Sequence, residues 1–93
     1  MYYIKFIYNN YCRDEAKDII NRLNIPEHIS IKEFNEDVAG QYKKAWILKS
    51  KASARMIPFV TIYKDKKLIK SFYTEVSEVT VDNIQTYINE NLK

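Results

Sequence analysis

The sequence predicts a single α/β domain, a four-stranded mixed sheet flanked by helices, with elements in the order β-α-β-α-β-β-α. Three observations carry that prediction. The hydrophobic period switches between two residues and about 3.6 residues along the chain. Two stripes at helical spacing, Ala16-Ile19-Ile20-Leu23 and Val81-Ile84-Tyr87-Ile88-Leu92, are interleaved with runs of aromatic and β-branched residues. The length of 93 residues suits one core, and an apolar content of 46% is that of a folded globule.

Tyr2 to Tyr8 (YYIKFIY) is apolar everywhere except Lys5, so it reads as a strand buried on both faces and central in the sheet. Asn9, Asn10 and Tyr11 break it. From Cys12 to Leu23 the spacing is helical, with Asp14 and Glu15 in the first turn, where the helix dipole favours anions, and Pro26 closing the segment. Ile29 to Phe34 alternates as a second strand. A strand–helix–strand unit of this length is right-handed, so its two strands should be parallel.

Asp37 to Ala54 leans helical, with Val38, Tyr42, Ala45, Trp46 and Leu48 placed toward the core. Gly40 and the stretch Ser50 to Ser53 weaken it or divide it into two helices. Phe59–Tyr63 and Lys67–Tyr73 flank Lys64-Asp65-Lys66 and read as an antiparallel hairpin. Lys66, Lys67 and Lys70 suit an exposed edge. The last helix opens with Thr80 as its N-cap.

Composition excludes several classes of function. The net charge of +3 is mild and the tyrosines are scattered, whereas a dedicated nucleic-acid binder carries a clear basic stripe. Nucleic acid is not an expected partner. No 18-residue apolar run exists to span a membrane. Lys5 interrupts the N-terminal apolar run and no small-residue cleavage site follows, so the expected location is cytoplasmic. One thiol, Cys12, cannot form an internal disulfide, which suits a reducing compartment. With His28 the only histidine, the four ligands of a structural zinc site are missing and no metal is expected. Lys43, Lys44, Lys49, Lys51 and Arg55 form an acid-free run, read either as a solvated face or as an anion site with Arg55 nearest Pro58.

Two segments resemble the thioredoxin–glutaredoxin superfamily. The first strand runs into Asn9-Asn10-Tyr11-Cys12-Arg13-Asp14-Glu15, placing an aromatic and a cysteine where that family carries its nucleophile at the start of a helix. Ile57-Pro58-Phe59-Val60-Thr61-Ile62-Tyr63-Lys64-Asp65 is similar to the segment in which the family places a cis-proline before its third strand. The resemblance implies thiol–disulfide exchange at Cys12, with Tyr11, Arg13, Ile57 and Pro58 as substrate-binding residues. It implies no bound cofactor, with glutathione as a co-substrate, and a protein or glutathione disulfide as partner.

Two departures narrow this. Glu15 stands where the family's second cysteine would resolve a mixed disulfide, which removes dithiol chemistry. Thr74-Glu75-Val76 replaces the glycine-rich turn that helps glutaredoxins hold glutathione. Cys12-Arg13-Asp14-Glu15 also differs from the Cys-Gly-Phe-Ser motif of cluster-binding relatives. A thiol at a helix N-terminus faces free N–H groups that favour the thiolate, as does Arg13, while Asp14 and Glu15 oppose it. Two readings therefore stand: a single-cysteine oxidoreductase, and a redox-inactive protein–protein interaction module using the same face.

Overall fold

The computed structural model describes residues 1–93. Its elements are β1 (Tyr2–Tyr8), α1 (Arg13–Arg22), β2 (Ile29–Asn35), α2 (Tyr42–Lys51), β3 (Phe59–Lys64), β4 (Lys67–Phe72) and α3 (Val81–Asn91), with one short 3-10 turn at Thr74–Val76. This is the order the sequence predicts. The four strands form one mixed sheet in the order β2-β1-β3-β4. Strand β1 is central, parallel to β2 and antiparallel to β3, and β3 pairs antiparallel with β4.

Alternation along the strands divides the core in two. Ile4, Phe6 and Tyr8 of β1 face α1 and α3, where they meet Ala16, Ile19, Leu23, Ile84, Ile88 and Leu92. Each large side chain buried there contributes roughly 1.5–3 kcal/mol. Ile7 points the other way and packs with Phe59 and Tyr63 beneath Ala45 and Leu48 of α2. Thr80 caps α3 by accepting a hydrogen bond from the Asn83 amide at 3.1 Å. His28 Nε2 lies 2.7 Å from the Leu92 carbonyl oxygen, tying the loop before β2 to the end of α3.

Two expectations need correction. Helix α2 spans only Tyr42–Lys51. Gly40, at φ +87°, takes a left-handed conformation in the turn that precedes it. Only Ala45 and Leu48 of the expected core set are buried, while Val38, Tyr42 and Trp46 are exposed. Ala45 sits against the sheet, and each next residue is rotated by about 100°, which carries Trp46 to the flank. Nor is β1 buried on both faces throughout. Its C-terminal half (Phe6, Ile7, Tyr8) is buried, but Tyr3 and Lys5 are half-exposed on the side that short α2 leaves open.

One polar cluster fastens α1 to the sheet. Lys17 Nζ lies 2.5 Å from Glu33 Oε1, which also accepts from the Tyr8 hydroxyl at 2.8 Å. Burial alone would raise the Glu33 pKa, but the hydrogen bonds from Lys17 and Tyr8 outweigh it and hold the carboxyl below its ordinary range. A depressed folded pKa gives stability that is present above the unfolded value, about 4.3, and lost as pH falls through the folded one. Glu33→Gln should therefore flatten the acid side of the stability profile. Because both partners are about one-third exposed, the loss at neutral pH should stay below about 1 kcal/mol. Urea midpoints between about pH 3 and pH 7 check this, and parallel profiles for the two proteins would contradict it.

Candidate functional site at the end of the first strand

The polypeptide leaves β1 through Asn9-Asn10-Tyr11 and enters α1 at Cys12, which occupies the N-cap position. Asparagines following a strand are turn-formers because their short side chains bond to the local backbone. Here the Cys12 amide donates to Asn9 Oδ1 at 3.0 Å, and the Asn9 amide lies 3.5 Å from Cys12 Sγ. Asn10 is held from the other side. Its amide donates to Asp37 Oδ2 at 2.8 Å, and Asn35 Nδ2 donates to Asn10 Oδ1 at 2.8 Å. Asn35 is buried, and its Oδ1 in turn accepts from the Asp37 amide at 2.9 Å. The loop that carries the thiol is thus laced to the end of β2.

Cys12 is free and half-buried, its side chain resting against the larger core cluster. No side chain caps α1, so the N–H groups of its first turn are not spent on a cap. Tyr11 projects into solvent at 98% exposure. Arg13 opens α1, is exposed and takes part in none of the chain's ion pairs. Asp14 and Glu15 lie exposed in the first turn.

The second segment reaches the same end of the sheet through strand register. Ile7 pairs with Phe59, so Pro58 precedes the paired stretch of β3 where β1 is about to end. The Ile57–Pro58 bond is cis, Pro58 is buried, and Ile57 packs half-buried on the α2-side cluster. The Thr74 hydroxyl donates to the Pro58 carbonyl, and the Glu75 carboxylate accepts from the Arg55 amide at 2.9 Å. That hydrogen bond holds the Glu75 carboxyl below its ordinary range. Neither the amide nor the carbonyl of Ile57 is hydrogen-bonded within the chain.

Register, then, puts Tyr11, Cys12, Arg13, Ile57 and Pro58 at one end of the sheet. Asn9, Asn10, Asn35, Asp37, Thr74 and Glu75 hold the two loops, and sequence reading assigned none of them that part. The paired asparagines after β1 are the signal for this lacing that the sequence carries. No family model and no curated protein matches the sequence. Among solved structures, thioredoxin from Aeropyrum pernix superposes with a TM-score of 0.61 at 16% identity, over 96% of this chain and 73% of that one. This chain has a thioredoxin-like fold. A malarial protein also superposes, with a TM-score of 0.62 at 14% identity, over 100% of this chain and 99% of that one. No helix of the thioredoxin-like domain is long and apolar enough to cross a membrane.

Proposed function

We propose that this thioredoxin-like domain exchanges disulfides with polypeptide partners through Cys12 alone. The observation that carries the reading is the placing of a half-exposed thiol and the unpaired Ile57 backbone at one end of the sheet. A free amide and carbonyl at the thiol's end of the sheet suit an extended chain, which adds to a backbone by main-chain hydrogen bonds. In the reaction, the Cys12 thiolate attacks one sulfur of a partner disulfide. An S–S bond forms between the two proteins, and the partner's other sulfur departs as a thiolate. Since the chain has no second cysteine, a thiol from glutathione or from the partner must attack the mixed disulfide and release Cys12.

Exposed side chains favour a polypeptide over glutathione as the first partner. Tyr11, Val38, Tyr42, Met56 and Val76 are exposed apolar residues, with Tyr11, Val38 and Met56 in loops at this end of the sheet, Tyr42 opening α2 and Val76 closing the turn after β4. The same surface supports a second reading, a module that binds its partner without exchange.

Mass spectrometry after incubation with oxidised glutathione, or with a disulfide-linked peptide of apolar sequence, separates them. The expected result is an adduct on Cys12 with both, formed faster with the peptide, and Tyr11→Ala slowing the peptide reaction alone. Absence of any adduct on the folded chain, with full alkylation of Cys12 only after unfolding, would leave the binding module.

A further inference from the structure

Toward the end of the sheet away from Cys12, the face that α2 leaves uncovered forms an open concavity of about 800 Å³. Tyr3, Lys5, Lys32, Phe34, Lys44 and Lys66 line it together with Glu33 and Asp65. Lys5 and Lys32 are register partners on adjacent strands, so two lysines project from neighbouring positions on one face. Like charges in that position cost stability. None of the four lysines takes part in any of the chain's four ion pairs. Nor do the two carboxylates of the lining answer them. Asp65 accepts from the Met1 ammonium at 2.7 Å, and Glu33 is held by Lys17 and Tyr8.

The basic face is built rather than incidental to a loose surface. Lys5 is half-buried, with its Nζ 4.3 Å from the centre of the Tyr63 ring. Burial, then the charges of Lys32 and Lys51, draw its pKa below the ordinary lysine range. Lys32 Nζ lies 5.6 Å from the Tyr3 ring centre, so aromatic faces and ammonium groups share the floor of the concavity. A local conflict of like charges on an otherwise consistent strand pair is where a functional site is expected.

We propose that this concavity binds a nucleoside polyphosphate, its phosphates drawn between Lys5, Lys32 and Lys44 and its base laid toward Tyr3. Lysine serves phosphate as a point charge, and one polyphosphate answers several ammonium groups together. The volume lies within the range of small-ligand sites. The mild net charge of +3 argues for a free nucleotide over a nucleic-acid strand. The site is independent of the chemistry proposed for Cys12.

Titration of the ¹⁵N-labelled chain with ATP, adenosine and a single-stranded oligonucleotide tests the assignment. ATP should shift the amides of Tyr3 to Lys5 and Lys32 to Phe34, and adenosine should not. Lys32→Glu, an exposed position where the new carboxylate faces Lys5, should weaken ATP by about tenfold or more while raising the melting temperature of the free protein. Lys93→Glu, a change of equal charge at the C-terminus, should leave ATP binding at the wild-type level. Absence of shifts with millimolar ATP, equal shifts with adenosine, or equal weakening by both substitutions would overturn the site. Tighter binding of the oligonucleotide than of ATP would overturn the choice of a free nucleotide.

Discussion

Replacing Phe59 with alanine is expected to cost about 3–5 kcal/mol, a large share of the roughly 5–15 kcal/mol that holds a small domain folded. Phe59 is fully buried, pairs with Ile7 in the central pair of strands and packs beneath Ala45 and Leu48. Its ring centre lies 5.5 Å from that of Tyr73. Truncation removes the transfer energy of the ring and leaves a cavity that a sheet on one side and a helix on the other can only partly close. In urea the midpoint should fall by more than about 1 M. Trp46→Ala is the informative companion, because a large aromatic at 55% exposure should cost less than about 1 kcal/mol. Equal losses for the two would contradict the assignment of α2's faces.

The second large effect concerns the thiol. Cys12→Ser should abolish every adduct with oxidised glutathione or with a peptide disulfide, since no other sulfhydryl exists in the chain. Glu15→Cys should have the opposite consequence. Positions 12 and 15 lie one turn apart at the start of α1, and Glu15 is exposed, so the new side chain is free to approach Cys12. Its thiolate would attack the mixed disulfide at the Cys12 sulfur, expel reduced glutathione and close a 12–15 disulfide. Mass spectrometry reads the outcome directly. The wild-type adduct should persist, while the variant should lose it and two hydrogens. A variant adduct as long-lived as the wild type's would show that the start of α1 does not present Cys12 as proposed.

What could be read from the chain followed the distance over which each feature is written. The stripe Val81-Ile84-Ile88-Leu92 with its Thr80 cap, the hairpin around Asp65 and the central place of β1 are all specified by neighbours within a few residues. The faces of α2 were not legible. Its sequence offers Tyr42 and Trp46 as core residues, and only its close approach to the sheet through Ala45 rules them out. The candidate site divided in the same way. Cys12 and Pro58 were found from local punctuation, but the Asn10–Asn35 bond joins residues 25 positions apart. Likewise the Lys5–Lys32 pairing exists only once β1 and β2 lie side by side. The acid-free run from Lys43 to Arg55 reads either as a solvated face or as an anion site near Pro58. Lys44 instead lines the concavity at the other end, and Lys49 pairs with Glu36.

The narrow seat of α2 has a bearing on motion. Helix α2 lies alone on its face of the sheet, seated through Ala45 and Leu48, whereas α1 and α3 share the opposite layer. A helix with no neighbour on its layer loses only its own contacts on opening, so the amides of α2 are expected to exchange with solvent ahead of those of α1 and α3. Such opening would bare Ile7 and Phe59 directly behind the Pro58 loop, an apolar floor that the closed molecule keeps covered.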